Sequence, residues 1–188
     1  MKVGIYGGSF NPVHKGHIFV AKFIKEYLQL DLLLIIPVGI PSHKEDILAD
    51  SRLRFEMCKK AFAGIDGIVV SDIELKSEDV SYTYDTLLKV IKKYPNADYF
   101  EIIGEDSGEN FHKWKNYQEI LKLSKVVVLR RKGYKTKIED NNIIQVENTY
   151  VDFSSTDVRE KIKKGMEIKD MVPEEVEKII FENSLYKK

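Results

Sequence analysis

The first eighteen residues place the strongest constraint on how this chain can fold. Lys2–Tyr6 has the apolar content of a short buried strand, and Gly7-Gly8 follows it directly. A glycine pair permits a sharp turn and a close approach of the backbone to a ligand. Asn11-Pro12 then matches a helix start, a capping side chain followed by proline. A strand, a glycine turn and a helix N-terminus together predict an anion site, because N–H groups and the positive end of the helix dipole face it.

Two of the four histidines of the chain stand in this predicted helix start. His14 and His17 are three positions apart, so both rings are expected on one helix face, above Gly7-Gly8. A single histidine in a first helical turn usually has only a structural role, but a pair behind a glycine turn favours phosphate binding. Two histidines on one face could also bind zinc, but a third strong ligand is hard to find. We therefore predict no metal site.

The run from residue 7 to residue 17 resembles a known signature. GGSFNPVHKGH is similar to the pattern G-G-x-F-x-P-x-H-x-G-H of nucleotidyltransferases, and every position agrees. The resemblance implies that the following residues bind ATP: Gly7, Gly8, Ser9, Phe10, His14 and His17.

Length and composition exclude several classes of protein. A chain of 188 residues with 43% hydrophobic and 32% charged residues is typical of one soluble globular domain, here residues 1–188. A formal net charge of zero gives no reason to expect nucleic acid or an anionic membrane as a partner. The single cysteine excludes an internal disulfide. With no targeting segment or membrane-spanning run, we expect a cytoplasmic protein and leave its oligomeric state open, a homo-oligomer included.

The rest of the chain alternates between helical and strand-like patterns. Val20 and Ile24 repeat with helical spacing in a segment that continues to about Gln29, and Leu32–Ile36 follows as a continuous apolar run. Such runs are typical of parallel strands covered on both faces, and this spacing indicates a right-handed βαβ unit. Further strands are predicted at Ile68–Ser71, Tyr99–Ile103, Lys125–Leu129 and Ile143–Val146. We predict an α/β fold with a doubly wound parallel sheet, and the resemblance implies its Rossmann-like nucleotidyltransferase form.

The loop after the second predicted strand, Pro37–Pro41, leads into His43-Lys44. It leaves the sheet at the edge where open α/β sheets bind ligands. The helix that follows has Arg52 and Arg54 in its first turns, where cations oppose the helix dipole, and an anionic ligand would remove that conflict. The family has a His-Lys pair followed by an arginine, which implies binding roles for Lys44 and Arg54, with Arg52 as the alternative.

Ser81-Tyr82-Thr83 opens another predicted helix. Ser81 is suited to be its N-cap, and hydroxyl and N–H groups at this helix start could also bind a carboxylate. The stretch resembles the S-Y-T-Y-D-T element of one branch of the family.

The strand that ends at Gly104 is followed by Asp106, which is either a helix cap or a ligand for ribose or a bound metal. Its resemblance to the family sequence G-x-D-S favours a binding role. Trp114, the only tryptophan, lies among polar residues rather than in an apolar pattern. This position indicates that its ring stacks on a ligand, and a tryptophan face is the best partner for a cationic ring.

A second diagnostic run lies at Phe153–Arg159. Ser154 or Ser155 caps a predicted helix that closes at Gly165, but capping does not explain three successive hydroxyl residues followed by Arg159. Hydroxyls and a cation at the positive end of a helix dipole predict a second phosphate site. The run is similar to the family motif S-S-T-x-[IV]-R, which implies that Ser154, Ser155, Thr156 and Arg159 bind ATP.

Along nearly its full length the chain resembles the bacterial nicotinate-nucleotide adenylyltransferases. The resemblance implies adenylation of nicotinate mononucleotide by ATP, with Mg²⁺ arriving on the ATP, to give deamido-NAD and pyrophosphate. It implies His14, His17 and Arg159 as catalytic residues, with Gly104 and Asp106 added to the ATP site. The implied nicotinate-nucleotide ligands are Lys44, Arg54, Ser81, Tyr82, Thr83 and Trp114.

Other functions stay open at the level of sequence. The same fold could adenylate nicotinamide mononucleotide or phosphopantetheine, and the polar surroundings of Trp114 argue only against the latter. A nucleotide-sensing module without turnover is the alternative from a different class. Two complete motifs and the lack of any attached DNA-binding segment argue against a sensor.

Overall fold

The computed structural model describes residues 1–41, 48–76, 79–130, 140–147 and 153–187. The strands are β1 (Lys2–Gly8), β2 (Leu32–Pro37), β3 (Ile40–Pro41), β4 (Ile68–Val70), β5 (Val80–Ser81), β6 (Asp98–Gly104), β7 (Lys125–Leu129) and β8 (Ile143–Val146). The helices are α1 (Lys15–Tyr27), α2 (Ser51–Ala61), α3 (Thr83–Lys93), α4 (Glu105–Glu109), α5 (Tyr117–Leu123), α6 (Ser155–Lys163) and α7 (Glu174–Glu182). A 3₁₀ turn at Phe111–Lys113 joins α4 to α5.

The main sheet is doubly wound, as predicted. Its strands are parallel in the order β4-β2-β1-β6-β7-β8. The chain winds outward from β1 in one direction, then returns to β6 beside β1 and winds in the other. The crevice at the carboxyl ends of β1 and β6 is therefore the topological switch point, where sheets of this kind bind ligands.

Two apolar layers cover the sheet because its strands are apolar on both faces. In β2, Leu33 and Ile35 belong to one buried cluster, and Leu34 and Ile36 belong to the other. Side chains of α1, α2, α6 and α7 complete the first cluster, and side chains of α3 and α5 complete the second. The continuous apolar run predicted for a parallel strand is thus explained by helices on both sides of it.

The predicted start of the first helix is wrong by several residues. Helix α1 begins at Lys15 with His14 as its N-cap, whereas Asn11 lies fully buried before it. The Asn11 side-chain oxygen accepts hydrogen bonds from the Ala49 N–H at 3.1 Å and the Tyr186 hydroxyl at 2.8 Å. Asn11 therefore joins distant segments, which a local capping pattern cannot reveal.

The described parts of the chain contain no helix whose length and apolar content would let it cross a membrane.

An acidic side chain is buried in the middle of the sheet. Glu101 of β6 pairs with Ile5 and Val126 on the neighbouring strands and is 4% exposed. Its Oε2 atom has no hydrogen-bond partner within the described ranges. Burial, together with the negative charge of Glu74, raises the pKa of Glu101 well above its ordinary value of 4.5. The folded protein therefore favours the neutral carboxyl group at this position.

We expect Glu101→Gln to be more stable than the wild type at alkaline pH. Between pH 4.5 and the raised pKa, unfolded wild-type protein ionises Glu101 while the folded protein keeps the proton, so stability from this group falls as pH rises. Glutamine takes up no proton, and we expect a gain of about 1–4 kcal/mol at about pH 8 that vanishes near pH 4.5. Urea unfolding across this range measures it. Exposed Glu109→Gln is the control, and a pH-independent difference for Glu101→Gln would contradict the expectation.

Candidate active site

The first motif begins inside β1, because Gly7 and Gly8 are the last two residues of the strand and pair with β2, so the predicted turn at this glycine pair is wrong. Gly8 lies next to the Phe10 ring, and a Cβ atom on Gly8 would be in ordinary van der Waals contact with that ring at 3.4 Å. Phe10 is 2% exposed and packs edge-on against His17, with 4.9 Å between ring centroids. We predicted Phe10 as an ATP contact; its side chain is buried against the His17 ring and supports it, and the contact with ATP stays a prediction.

The two histidines are held in a defined orientation by the start of α1. The His14 N–H donates to Nδ1 of His17 at 3.1 Å, and the Gly16 N–H donates to Nδ1 of His14 at 3.1 Å. A backbone N–H can only donate, so each Nδ1 must accept, and each neutral ring carries its proton on Nε2. The ring centroids are 3.7 Å apart. The helix cap thus fixes two adjacent Nε2–H donors at the crevice.

The second motif lies directly against the first. Ser154 caps α6, and its N–H and hydroxyl donate to Asp157 at 2.7 and 2.6 Å, which lowers the pKa of the Asp157 carboxyl. The Ser155 hydroxyl donates to the Pro12 carbonyl at 2.9 Å. The Phe153 ring lies 5.3 Å from that of His14. The two helix starts, each predicted as an anion site, therefore lie side by side.

Arg159 bridges the two motifs. Its Nη1 donates to the Asn11 carbonyl at 2.7 Å, and its Nη2 donates to the Thr156 hydroxyl at 3.1 Å. Asn11 and Arg159 are 148 positions apart in the sequence. The contacts hold the guanidinium beside the histidines and the N-terminus of α6, so positive charge collects at this end of the crevice.

Across the crevice, Gly104 and Asp106 follow β6. Gly104 is the N-cap of α4, and no side chain makes a capping hydrogen bond there. A Cβ atom on Gly104 would lie 2.5 Å from Oδ1 of Asp106, so the carboxylate folds back over the end of the strand. Of the two roles considered for Asp106, the structure excludes the helix cap. Asp106 is exposed and lines a cavity.

A cavity of about 680 Å³ lies beside this strand end. Its walls include Tyr82, Thr83, Asp106 and Trp114, four residues that we predicted for the substrate site from three separate stretches of the chain. The Trp114 ring packs against Phe111 at 5.4 Å between centroids. Sequence reasoning missed the other lining residues, which are Ser107, Asn110, Lys113 and Lys115. The two lysines could have been found, because they flank Trp114 in the same polar stretch.

Ser81 lies in strand β5, not at a helix N-cap as predicted. The N-cap of α3 is Tyr82, which makes no side-chain capping bond. Strand β5 pairs in parallel with β3, so Ser81 stands opposite Pro41. The Glu74 carboxylate accepts from the Gly39 N–H at 3.2 Å and from the Thr86 hydroxyl at 2.7 Å. The loop after β2 is thereby joined to the first turn of α3.

Arg54 has a different role from the one predicted. It is 0% exposed, and its guanidinium donates to the carbonyl groups of Ala49, Ser9 and Val38 at 2.7–2.9 Å and of Gly39 at 3.3 Å. A fully buried guanidinium bonded in this way supports Ser9, directly after β1, and the loop after β2; it is not exposed to a ligand. Arg52, the alternative, is exposed on α2, and Lys44 lies outside the described residues.

The described ranges contain no group of three or more His, Cys, Asp or Glu side chains that could hold a metal ion. The donors at the crevice are instead N–H, hydroxyl and guanidinium groups, which suit anions.

Comparison with known proteins agrees with this geometry. The cytidylyltransferase-like family matches residues 5–161. A probable nicotinate-nucleotide adenylyltransferase of Fusobacterium nucleatum is 48% identical over 187 residues, covering 96% of this chain and 97% of the relative. Another, of Clostridium acetobutylicum, is 39% identical over 98% of both chains. Among solved structures, the nicotinic acid mononucleotide adenylyltransferase of Plasmodium falciparum complexed with NaAD has the same fold, with a TM-score of 0.82 at 19% identity over 98% of this chain and 97% of that one.

The family match runs from β1 into α6 and so includes both motif runs. The bacterial relatives extend the similarity over nearly the full length of both chains. The resemblance indicated by the motifs is therefore confirmed, and the chain belongs to the nicotinate-nucleotide adenylyltransferases of the cytidylyltransferase-like family.

Proposed function

We propose that the protein transfers the adenylyl group of ATP to nicotinate mononucleotide. A phosphate oxygen of the mononucleotide forms a bond to the α-phosphorus of ATP, the bond from that phosphorus to the β-phosphate oxygen breaks, and pyrophosphate leaves. Deamido-NAD is the other product. The observation that carries the proposal is the union of both phosphate-binding motifs at the switch point, beside a cavity walled by Trp114.

The charged end of the crevice is suited to the triphosphate. The Nε2–H groups of His14 and His17 donate to α- and β-phosphate oxygens, where negative charge increases as the bond breaks. Arg159 and the N-terminus of α6, with Ser154, Ser155 and Thr156, hold the departing pyrophosphate. Gly7, Gly8 and Ser9 allow ATP to approach the protein backbone at the end of β1 closely. Such a reaction needs positioning and charge stabilisation, and no covalent nucleophile.

Mg²⁺ enters as part of the MgATP substrate in this proposal. Magnesium is commonly bound by substrate phosphates with one or two protein carboxylates. Asp106, exposed in α4 just after β6, is the proposed contact for the ATP ribose or this ion, and Gly104 leaves room for its carboxylate.

The cavity is suited to the nicotinate nucleotide. The Trp114 ring offers an aromatic face for the cationic pyridine ring. Tyr82 and Thr83, which line the same cavity, provide hydroxyl and N–H groups for the carboxylate, and Ser81 precedes them in β5. Lys44, which lies outside the described residues, remains a proposed ligand of the nicotinate nucleotide, and Arg54 acts by holding the residues between β2 and β3.

Pyrophosphate release tests the function. We expect purified protein with MgATP to release pyrophosphate with nicotinate mononucleotide and to prefer it strongly over nicotinamide mononucleotide. Equal use of both would indicate an enzyme of dual specificity. Binding of ATP with no release from either acceptor would favour the nucleotide-sensing alternative.

A further inference from the structure

The wall of the substrate cavity contains a cation, Lys115, that has no role in the proposed phosphate chemistry. Lys115 follows Trp114 and lines the cavity with it. Its Nζ lies 2.9 Å from Oδ2 of Asp85 and 4.6 Å from the centroid of the Tyr82 ring. The ammonium group therefore stands at the same wall as Thr83 and Trp114, where the proposed function places the pyridine ring.

The ion pair between Lys115 and Asp85 is of the exposed kind. The two side chains are 45% and 41% exposed, and ion pairs in that range add little to stability. Lys115 can therefore exchange Asp85 for a ligand carboxylate at small cost. The second cation of the cavity, Lys113, is bonded through Nζ to Asn110 at 2.9 Å.

We propose that Lys115 is a specificity-determining residue that favours the nicotinate carboxylate over the neutral nicotinamide group, and that Asp85 opposes this preference. The proposal rests on the proposed function and adds a residue to its acceptor site. An ammonium group attracts a carboxylate far more strongly than an uncharged carboxamide. Asp85 competes with the substrate carboxylate for the same ammonium group, and its negative charge repels that carboxylate. The two partners of one ion pair therefore affect selectivity in opposite directions.

The test compares Lys115→Met and Asp85→Asn with the wild type. We expect Lys115→Met to lower the ratio of kcat/KM for nicotinate over nicotinamide mononucleotide about tenfold, through the KM for nicotinate mononucleotide. We expect Asp85→Asn to raise the same ratio about threefold. Lys122→Met and Glu119→Gln are matched controls, because Lys122 and Glu119 form an exposed ion pair on α5 outside the cavity; they should leave the ratio unchanged.

A binding titration separates failure of this proposal from failure of the proposed function. Trp114 is the only tryptophan, so its fluorescence reports Kd for either mononucleotide without turnover. The Kd ratio should change in the same opposed directions, even if no pyrophosphate is released. Equal changes in both variants, or loss of thermal stability with an unaltered ratio, would overturn the proposal and leave Lys115–Asp85 as a brace between α3 and the Trp114 segment.

Discussion

His17→Asn is expected to reduce kcat by about 10²–10³-fold. In the structure, Nδ1 of His17 accepts the His14 N–H, and the proposed function assigns Nε2–H to the α-phosphate. The Asn side-chain oxygen can replace Nδ1 as acceptor, but its amide cannot reach the position of Nε2. The variant therefore keeps the helix cap and loses the donor to the reacting phosphate. Steady-state pyrophosphate release with saturating MgATP measures kcat.

Two further variants make this prediction specific. His17→Gln places an amide N–H near the position of Nε2, so we expect it to recover part of the lost rate while weakening the cap of α1. His112→Asn alters an exposed histidine of the 3₁₀ turn and should leave kcat unchanged. Wild-type turnover in His17→Asn, with normal folding, would remove His17 from the reaction.

Arg54→Met is expected to lower the free energy of unfolding by about 3–5 kcal/mol. The side chain is fully buried, and its loss leaves four backbone carbonyl groups without their donor. Those carbonyls belong to Ser9 directly after β1, to the loop after β2 and to the approach to α2, so three segments lose a contact. Urea unfolding followed by far-UV circular dichroism measures the change.

Arg52→Met is the matched control for Arg54→Met. It removes the same charge two residues away on the same helix, but from an exposed position, and surface substitutions usually alter stability by less than about 0.5 kcal/mol. Arg54→Lys keeps one cationic donor group and should fall between the two if Arg54→Met does not fold. Wild-type stability in Arg54→Met, with a higher KM for nicotinate mononucleotide, would restore the ligand role that the sequence predicted.

The contrast between Arg52 and Arg54 shows where sequence reasoning ends. Both arginines stand in the first turns of α2, and their opposition to the helix dipole is the same signal for each. Which of them turns inward depends on the carbonyl groups of residues up to 45 positions away. No local pattern contains that information.

The prediction of the first helix failed for the same reason. Asn11-Pro12 has the composition of a helix start, yet Asn11 is drawn into the interior by Ala49 and Tyr186. The cap is supplied instead by His14 and His17, whose Nδ1 atoms accept hydrogen bonds from backbone N–H groups at the start of α1. A histidine is an uncommon cap, so propensity alone favours the wrong residue.

By itself, the sequence determined the doubly wound sheet, the cap of α6 and the family of the chain. These follow from adjacent residues, because apolar periodicity and capping are local properties. Only the tertiary structure decided that residues 11–17 and 154–159 lie against each other, that Lys115 meets Asp85 beside Trp114, and that Arg54 is buried. Those outcomes depend on strand order, since β1 and β6 become neighbours only when the chain returns to the middle of the sheet.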